Sequence, residues 1–93
     1  MGKLYVGSPG VTIIVETEID LTSASEVSLL VRKPNGGDVT WLAYTYETTK
    51  LAYAIQPGDL TEKGIYELQA KANFDGEVLY GETLPFRVWN FFE

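Results

Sequence analysis

From Ile65 to Phe74 the side chains alternate without a break. Tyr66, Leu68, Ala70, Ala72 and Phe74 fall on one face, and Glu67, Gln69, Lys71 and Asn73 on the other. A period of two over so long a run marks a strand with one face in a core and the other in water. The pattern recurs in Val27, Leu29 and Val31, in Val39, Trp41 and Ala43, and in Leu51, Tyr53 and Ile55. No window carries the apolar stripe of an amphipathic helix.

Turn-forming residues separate these runs. They cluster at Ser8-Pro9-Gly10, between Asp20 and Ser25, at Pro34-Asn35-Gly36-Gly37, at Glu47-Thr48-Thr49, at Gln56-Pro57-Gly58-Asp59 and at Asp75-Gly76. The predicted strands are 3–6, 11–18, 26–33, 38–45, 50–56, 64–74 and 77–89. Short strands at this spacing predict a sandwich or barrel. No linker, low-complexity run or internal repeat divides the chain, so 1–93 reads as a single domain.

Two turns predict register. A three-residue loop Asn35-Gly36-Gly37, with Gly37 left-handed, sets Val31 opposite Trp41 and Leu29 opposite Ala43, which keeps both apolar sets on one face. A tight hairpin at Asp75-Gly76 sets Leu79 on the face of Ala72. Further along, however, the inward set must be Leu84, Phe86 and Val88. One residue must be absorbed, and Gly81 is the natural bulge, which keeps Glu82 out of the core. Asp59-Leu60-Thr61-Glu62 has capping-box spacing and predicts one short helical turn across the end of the sandwich.

Chemistry is constrained by what the chain lacks. It has no cysteine and no histidine, which removes disulfides, thiolate and imidazole metal ligands, cysteine nucleophiles and the commonest general base. A net charge of −6 repels phosphate backbones and anionic lipid, so neither nucleic acid nor a membrane is an expected partner. The N-terminal Met1-Gly2-Lys3-Leu4-Tyr5 lacks the apolar stretch of a signal peptide.

Glu62-Lys63-Gly64-Ile65-Tyr66, leading into an alternating strand, resembles the tyrosine corner of immunoglobulin-like domains. Tyr5-Val6-Gly7, Asp20-Leu21-Thr22-Ser23-Ala24, Val31-Arg32-Lys33-Pro34-Asn35-Gly36, Gly64-Ile65-Tyr66-Glu67-Leu68-Gln69-Ala70 and Tyr80-Gly81-Glu82-Thr83 add to the likeness. Over nearly its whole length the chain is similar to small immunoglobulin-like proteins of tailed bacteriophages and prophages, and to the N-terminal domain of phage baseplate upper proteins. The resemblance implies an all-β, immunoglobulin-like β-sandwich of about seven antiparallel strands in two sheets. It puts Trp41 at the core tryptophan of the third strand, and Leu29 and Leu68 where antibody domains carry their disulfide. It implies a non-enzymatic virion structural protein of the tail or baseplate, made in the host bacterial cytoplasm, without cofactor, working by protein–protein contact with itself or with other phage proteins, as a homo-oligomer or within a larger assembly.

The expected core is Leu29, Val31, Trp41, Tyr53, Tyr66, Leu68 and Phe86. An apolar surplus falls on nominally outward positions: Leu30, Leu42, Tyr44 and Tyr46, with Trp89, Phe91 and Phe92 crowding the C-terminus. Aromatic residues are enriched at protein interfaces, so these seven form the candidate interface, one sheet face plus the tail. The other reading is that Trp89 and its neighbours seal the end of the sandwich. Exposed aromatics in a concave, polar-rimmed groove would instead indicate carbohydrate or cell-surface binding. Two weaker readings concern the acids. Glu16 with Glu18, or Asp59 with Glu62, would be the carboxylate pair of a glycosidase. Asp20, Asn35, Asp38, Asp59 and Asp75 lie in loops but lack the dense spacing of a calcium site.

Overall fold

The runs of alternation do pair as strands. The computed structural model describes residues 4–7, 10–90 and 92, and these contain no helix. They form β1 (Leu4–Tyr5), β2 (Thr12–Glu16), β3 (Glu26–Arg32), β4 (Asp38–Leu42), β5 (Tyr44–Tyr46), β6 (Lys50–Ala54), β7 (Gly64–Phe74) and β8 (Glu77–Trp89). The larger sheet has the order β1-β8-β7-β3-β4 and the smaller one β2-β6-β5. The arrangement is all-β and sandwich-like, with one core cluster drawn from both sheets. Leu29, Val31, Trp41, Tyr66 and Leu68 come from the larger sheet, and Val15 and Leu51 from the smaller.

The aromatic residues tie this core together. Trp41 on β4 stacks on Tyr53 of β6 with ring centroids 4.7 Å apart. Tyr66 is fully buried and stacks on Phe86, its register partner on β8, at 5.1 Å. Tyr53 and Phe86 are partly buried and pack against the cluster. The Tyr66 hydroxyl donates to the Glu62 carbonyl at 2.8 Å and accepts from the Glu62 N–H at 3.3 Å, closing the turn that enters β7. A buried phenol thus finds both a donor and an acceptor.

Several expectations are corrected. Strand 38–45 is two strands: β4 ends at Leu42, and the chain passes at Ala43 from the larger sheet to the smaller. Among the described residues the strands therefore number eight, and the set is mixed, because β1 runs parallel to β8. In the β3–β4 hairpin, Leu29 lies opposite Trp41 and Val31 opposite Val39. The faces are as expected, but the partners are shifted by two residues. Lys33 N–H on the Gly37 carbonyl and Gly36 N–H on the Lys33 carbonyl close a three-residue loop Pro34-Asn35-Gly36, one residue earlier than expected, and Gly36, not Gly37, is left-handed. Trp41 sits on the edge strand β4, and not on the third strand. Leu29 and Leu68 belong to the same sheet, so they cannot bridge the two.

No helical turn forms at Asp59–Glu62. The Asp59 carboxylate reaches backwards instead, accepting from Gln56 N–H at 2.7 Å and from the Tyr53 hydroxyl at 2.6 Å. The carboxylate is thus turned onto the preceding turn, whereas an N-cap must accept from N–H groups ahead of it. The bulge falls where Gly81 was expected. Leu79 pairs with Ala72, but Leu84 pairs with Leu68 one residue out of phase, with Gly81 and Glu82 both set against Ala70. Glu82 is exposed.

Candidate interaction surfaces

The acids do not converge. Glu18 lies beyond the end of β2 in a left-handed conformation, so it shares no strand face with Glu16. The Glu16 carboxylate accepts from Glu18 N–H at 2.8 Å, and that bond leads the causes holding its pKa below the usual value. Asp20 is likewise lowered, chiefly by Thr22 N–H. Asn35 caps Gly37 N–H, and Asp38 pairs with Arg32 at 3.2 Å. Asp59 and Glu62 serve different partners: the Glu62 carbonyl receives Tyr66, while one Glu62 carboxylate oxygen is buried with no hydrogen-bond partner among the described residues. The Glu16, Asp20, Asp38 and Asp59 carboxylates each serve a local turn or ion pair. Among the described residues no group of three or more potential ligands gathers around a metal position, and no helix is long and apolar enough to cross a membrane.

The seven candidate interface residues do not share one face. In an antiparallel ladder, paired residues project to the same side. On the larger sheet, Leu30 is level with Thr40 and Gln69 on the outer face, and Leu42 is level with Ser28 and Lys71. Leu30 is half-buried, whereas Leu42 is 68% exposed. Tyr44 and Tyr46 come after the crossing at Ala43. They pair with Ala52 and Lys50 on the outer face of the smaller sheet, on the opposite side of the molecule. The sequence could not separate the two pairs, because the alternation passes through Ala43 unchanged. Trp89 is partly buried, and the Arg87 guanidinium lies 4.4 Å over its ring. Phe92 is fully exposed, and Phe91 lies outside the described residues.

The smaller sheet carries the more coherent apolar surface. Ile14, Ala52 and Tyr44 form one rung across β2, β6 and β5. Ala52 is only 1% exposed because its neighbours shield it, while Ile14 and Tyr44 remain 49% and 52% exposed. The next rung, Glu16, Lys50 and Tyr46, is polar. Lys50 binds Glu47 at 3.2 Å and Glu16 at 3.6 Å, and the Glu47 bond chiefly raises its pKa. An apolar centre beside a charged rim is the composition of a protein interface.

Ile14 was not among the expected contacts. The signal was the unbroken run Ile13-Ile14-Val15, which in a strand buried on one face must turn one large side chain outward. Leu79 and Leu84 on β8, expected on the core face, remain exposed, as do Tyr80 and Val78, which were not singled out.

The outer face of the larger sheet is different. It forms a shallow open groove of about 450 Å³, lined by Leu30, Arg32, Asp38, Thr40, Glu67, Gln69 and Thr83, with no aromatic ring. No protein-family model, no curated protein and no solved structure matches the chain.

Proposed function

We propose that this chain is a non-catalytic, immunoglobulin-like protein–protein interaction module, a structural accessory of a tailed-phage or prophage particle in the tail or baseplate region. The observation that carries the interaction role is the half-exposed pair Ile14 and Tyr44, which flank the covered Ala52 in one rung beside a charged rim. The immunoglobulin-like reading is supported by the sheet orders β2-β6-β5 and β1-β8-β7-β3-β4 and by the Tyr66 hydroxyl bound to the Glu62 backbone. The phage setting rests on the sequence resemblance alone. On this reading the protein is made in the host cytoplasm and ends in the virion, and its acidic surface keeps it soluble before assembly.

Light scattering on mixtures with the purified products of its neighbouring genes tests the proposal. Binding to a tail protein, lost in Ile14→Ser/Tyr44→Ser, is the expected result. A wild type that binds none of them and never self-associates overturns it.

The groove over Leu30, rimmed by Arg32, Asp38, Glu67 and Gln69, favours a second reading as a carbohydrate- or cell-surface-binding module. Its lack of an aromatic platform weighs against sugar. Calorimetric titration with host-wall oligosaccharides, read against Gln69→Ala, decides that case.

A further inference from the structure

β8 is 13 residues long, yet β1 lies alongside only Val88 and Trp89. From Glu77 to Arg87 no described strand flanks β8 on the side away from β7. In an antiparallel ladder, residues alternately turn their N–H and C=O groups towards the partner and away from it. Trp89 fixes the phase, because its carbonyl accepts from Val6 N–H on the β1 side. Arg87, Pro85 and Thr83 therefore also turn away from β7. Pro85, which has no N–H, forfeits no bond to β7 there. The bulge advances the phase, so below it the outward residues are Tyr80 and Val78. Between Tyr80 and Thr83 two residues turn inward, where a regular strand has one.

We infer that this edge pairs antiparallel with the β8 edge of a second copy of the chain, about a two-fold axis between Gly81 and Glu82. The inference deepens the protein-interaction reading and rests on it. A regular strand laid on the edge keeps register on one side of the bulge only. A second β8 carries the same two-residue step and matches on both sides. Tyr80 then faces Thr83 of the second copy, and Val78 faces its Pro85. The same register sets Leu79 against the second copy's Leu84. These two share the core face of β8, level with Ala72 and Leu68, yet remain 38% and 39% exposed. One register therefore satisfies the backbone and covers both leucines, twice by symmetry. The outward residues supply about six backbone hydrogen bonds, since Pro85 can only accept. The contact is a single pair of strands, so its area falls below the ~1,200 Å² of stable complexes, and the dimer is weak and concentration-dependent. Glu82 approaches its own symmetry mate, which limits affinity further.

Sedimentation equilibrium on the intact protein tests this. Wild type is expected to show a reversible monomer–dimer equilibrium. Glu82→Gln should strengthen it about fivefold by relieving like-charge contact. Tyr80→Pro removes an outward N–H at a position that gives β7 no bond, and should weaken it about tenfold. Ile14→Ser should leave it unchanged. Amide exchange on the wild type provides a reading that needs no variant: Val78, Tyr80 and Thr83 should gain protection as concentration rises. A protein monomeric even as Glu82→Gln, or a dimer without protection at those three amides, overturns the inference. A dimer lost in Ile14→Ser instead overturns the edge assignment while leaving the interaction reading in place.

Discussion

Trp41 and Tyr53 lie almost parallel, 11° between ring planes and 4.7 Å between centroids, one ring from each sheet. The stack joins the edge strand β4 to the centre of the smaller sheet, beside the crossing at Ala43. Trp41→Ala leaves a large void under Tyr53 and should cost about 3–5 kcal/mol, a large part of a domain's total stability. Tyr53→Phe keeps the stack and loses only the bond to Asp59, so about 1 kcal/mol is expected. Urea denaturation followed by tryptophan fluorescence measures both.

The same tyrosine sets the alkaline limit. Burial first, then the Asp59 carboxylate, pushes the Tyr53 phenol up to about 12 from 10.0. Burial also raises Tyr66. The folded state holds these protons after the unfolded chain has released them, so stability falls as pH rises. The stabilisation from Tyr53 is intact below pH 10 and disappears as the pH approaches 12. Denaturation midpoints measured through this window should fall, and Tyr53→Phe should flatten the slope.

Tyr66→Phe removes the hydroxyl that joins the Glu62 carbonyl and N–H. The ring stays packed on Phe86, so the loss is that of the hydrogen bonds, about 1–2 kcal/mol. A chemical melt should show it without a change in near-ultraviolet circular dichroism.

Gly64→Ala tests the entry to β7. Gly64 has φ 129°, and an added Cβ would lie 2.9 Å from Cβ of Pro34. Strain and clash act together, and a loss of at least ~2 kcal/mol is expected by thermal unfolding.

Thr48→Gly should act in the opposite direction. Glu47 and Thr48 both have positive φ at the β5–β6 turn, and Thr48 is β-branched at 68°. The Thr48 carbonyl is held by Leu21 N–H at 2.8 Å, which keeps the turn in place despite the strain. Releasing that strain, less the entropy of the added glycine, should raise stability by up to about 1 kcal/mol, read as a higher melting temperature.

What the sequence made legible was the phase of each strand. Tyr66, Leu68, Ala70 and Ala72 are all buried, as their alternation with charged and polar residues requires. The Asp75-Gly76 hairpin and the step at Gly81 followed from turn chemistry and from the cost of an inward Glu82. Sheet membership was not legible. Val39, Trp41 and Ala43 continue evenly into Thr45, so the passage between sheets leaves no mark in the pattern. Leu42 and Tyr44 therefore read as one surface although they lie on opposite faces. The open flank of β8 was hidden for a related reason: alternation tells which way a side chain points, and not whether anything lies beside the strand.

The parallel pairing of Leu4 with Val88 and of Tyr5 with Trp89 has a mechanical consequence. Tension entering ahead of β1 and leaving after β8 pulls the two strands along their own length in opposite senses. Their cross-links are then loaded together in shear and not peeled one at a time. Strung between two anchors, the domain would resist stretching until that short clasp slid, and would then lengthen abruptly.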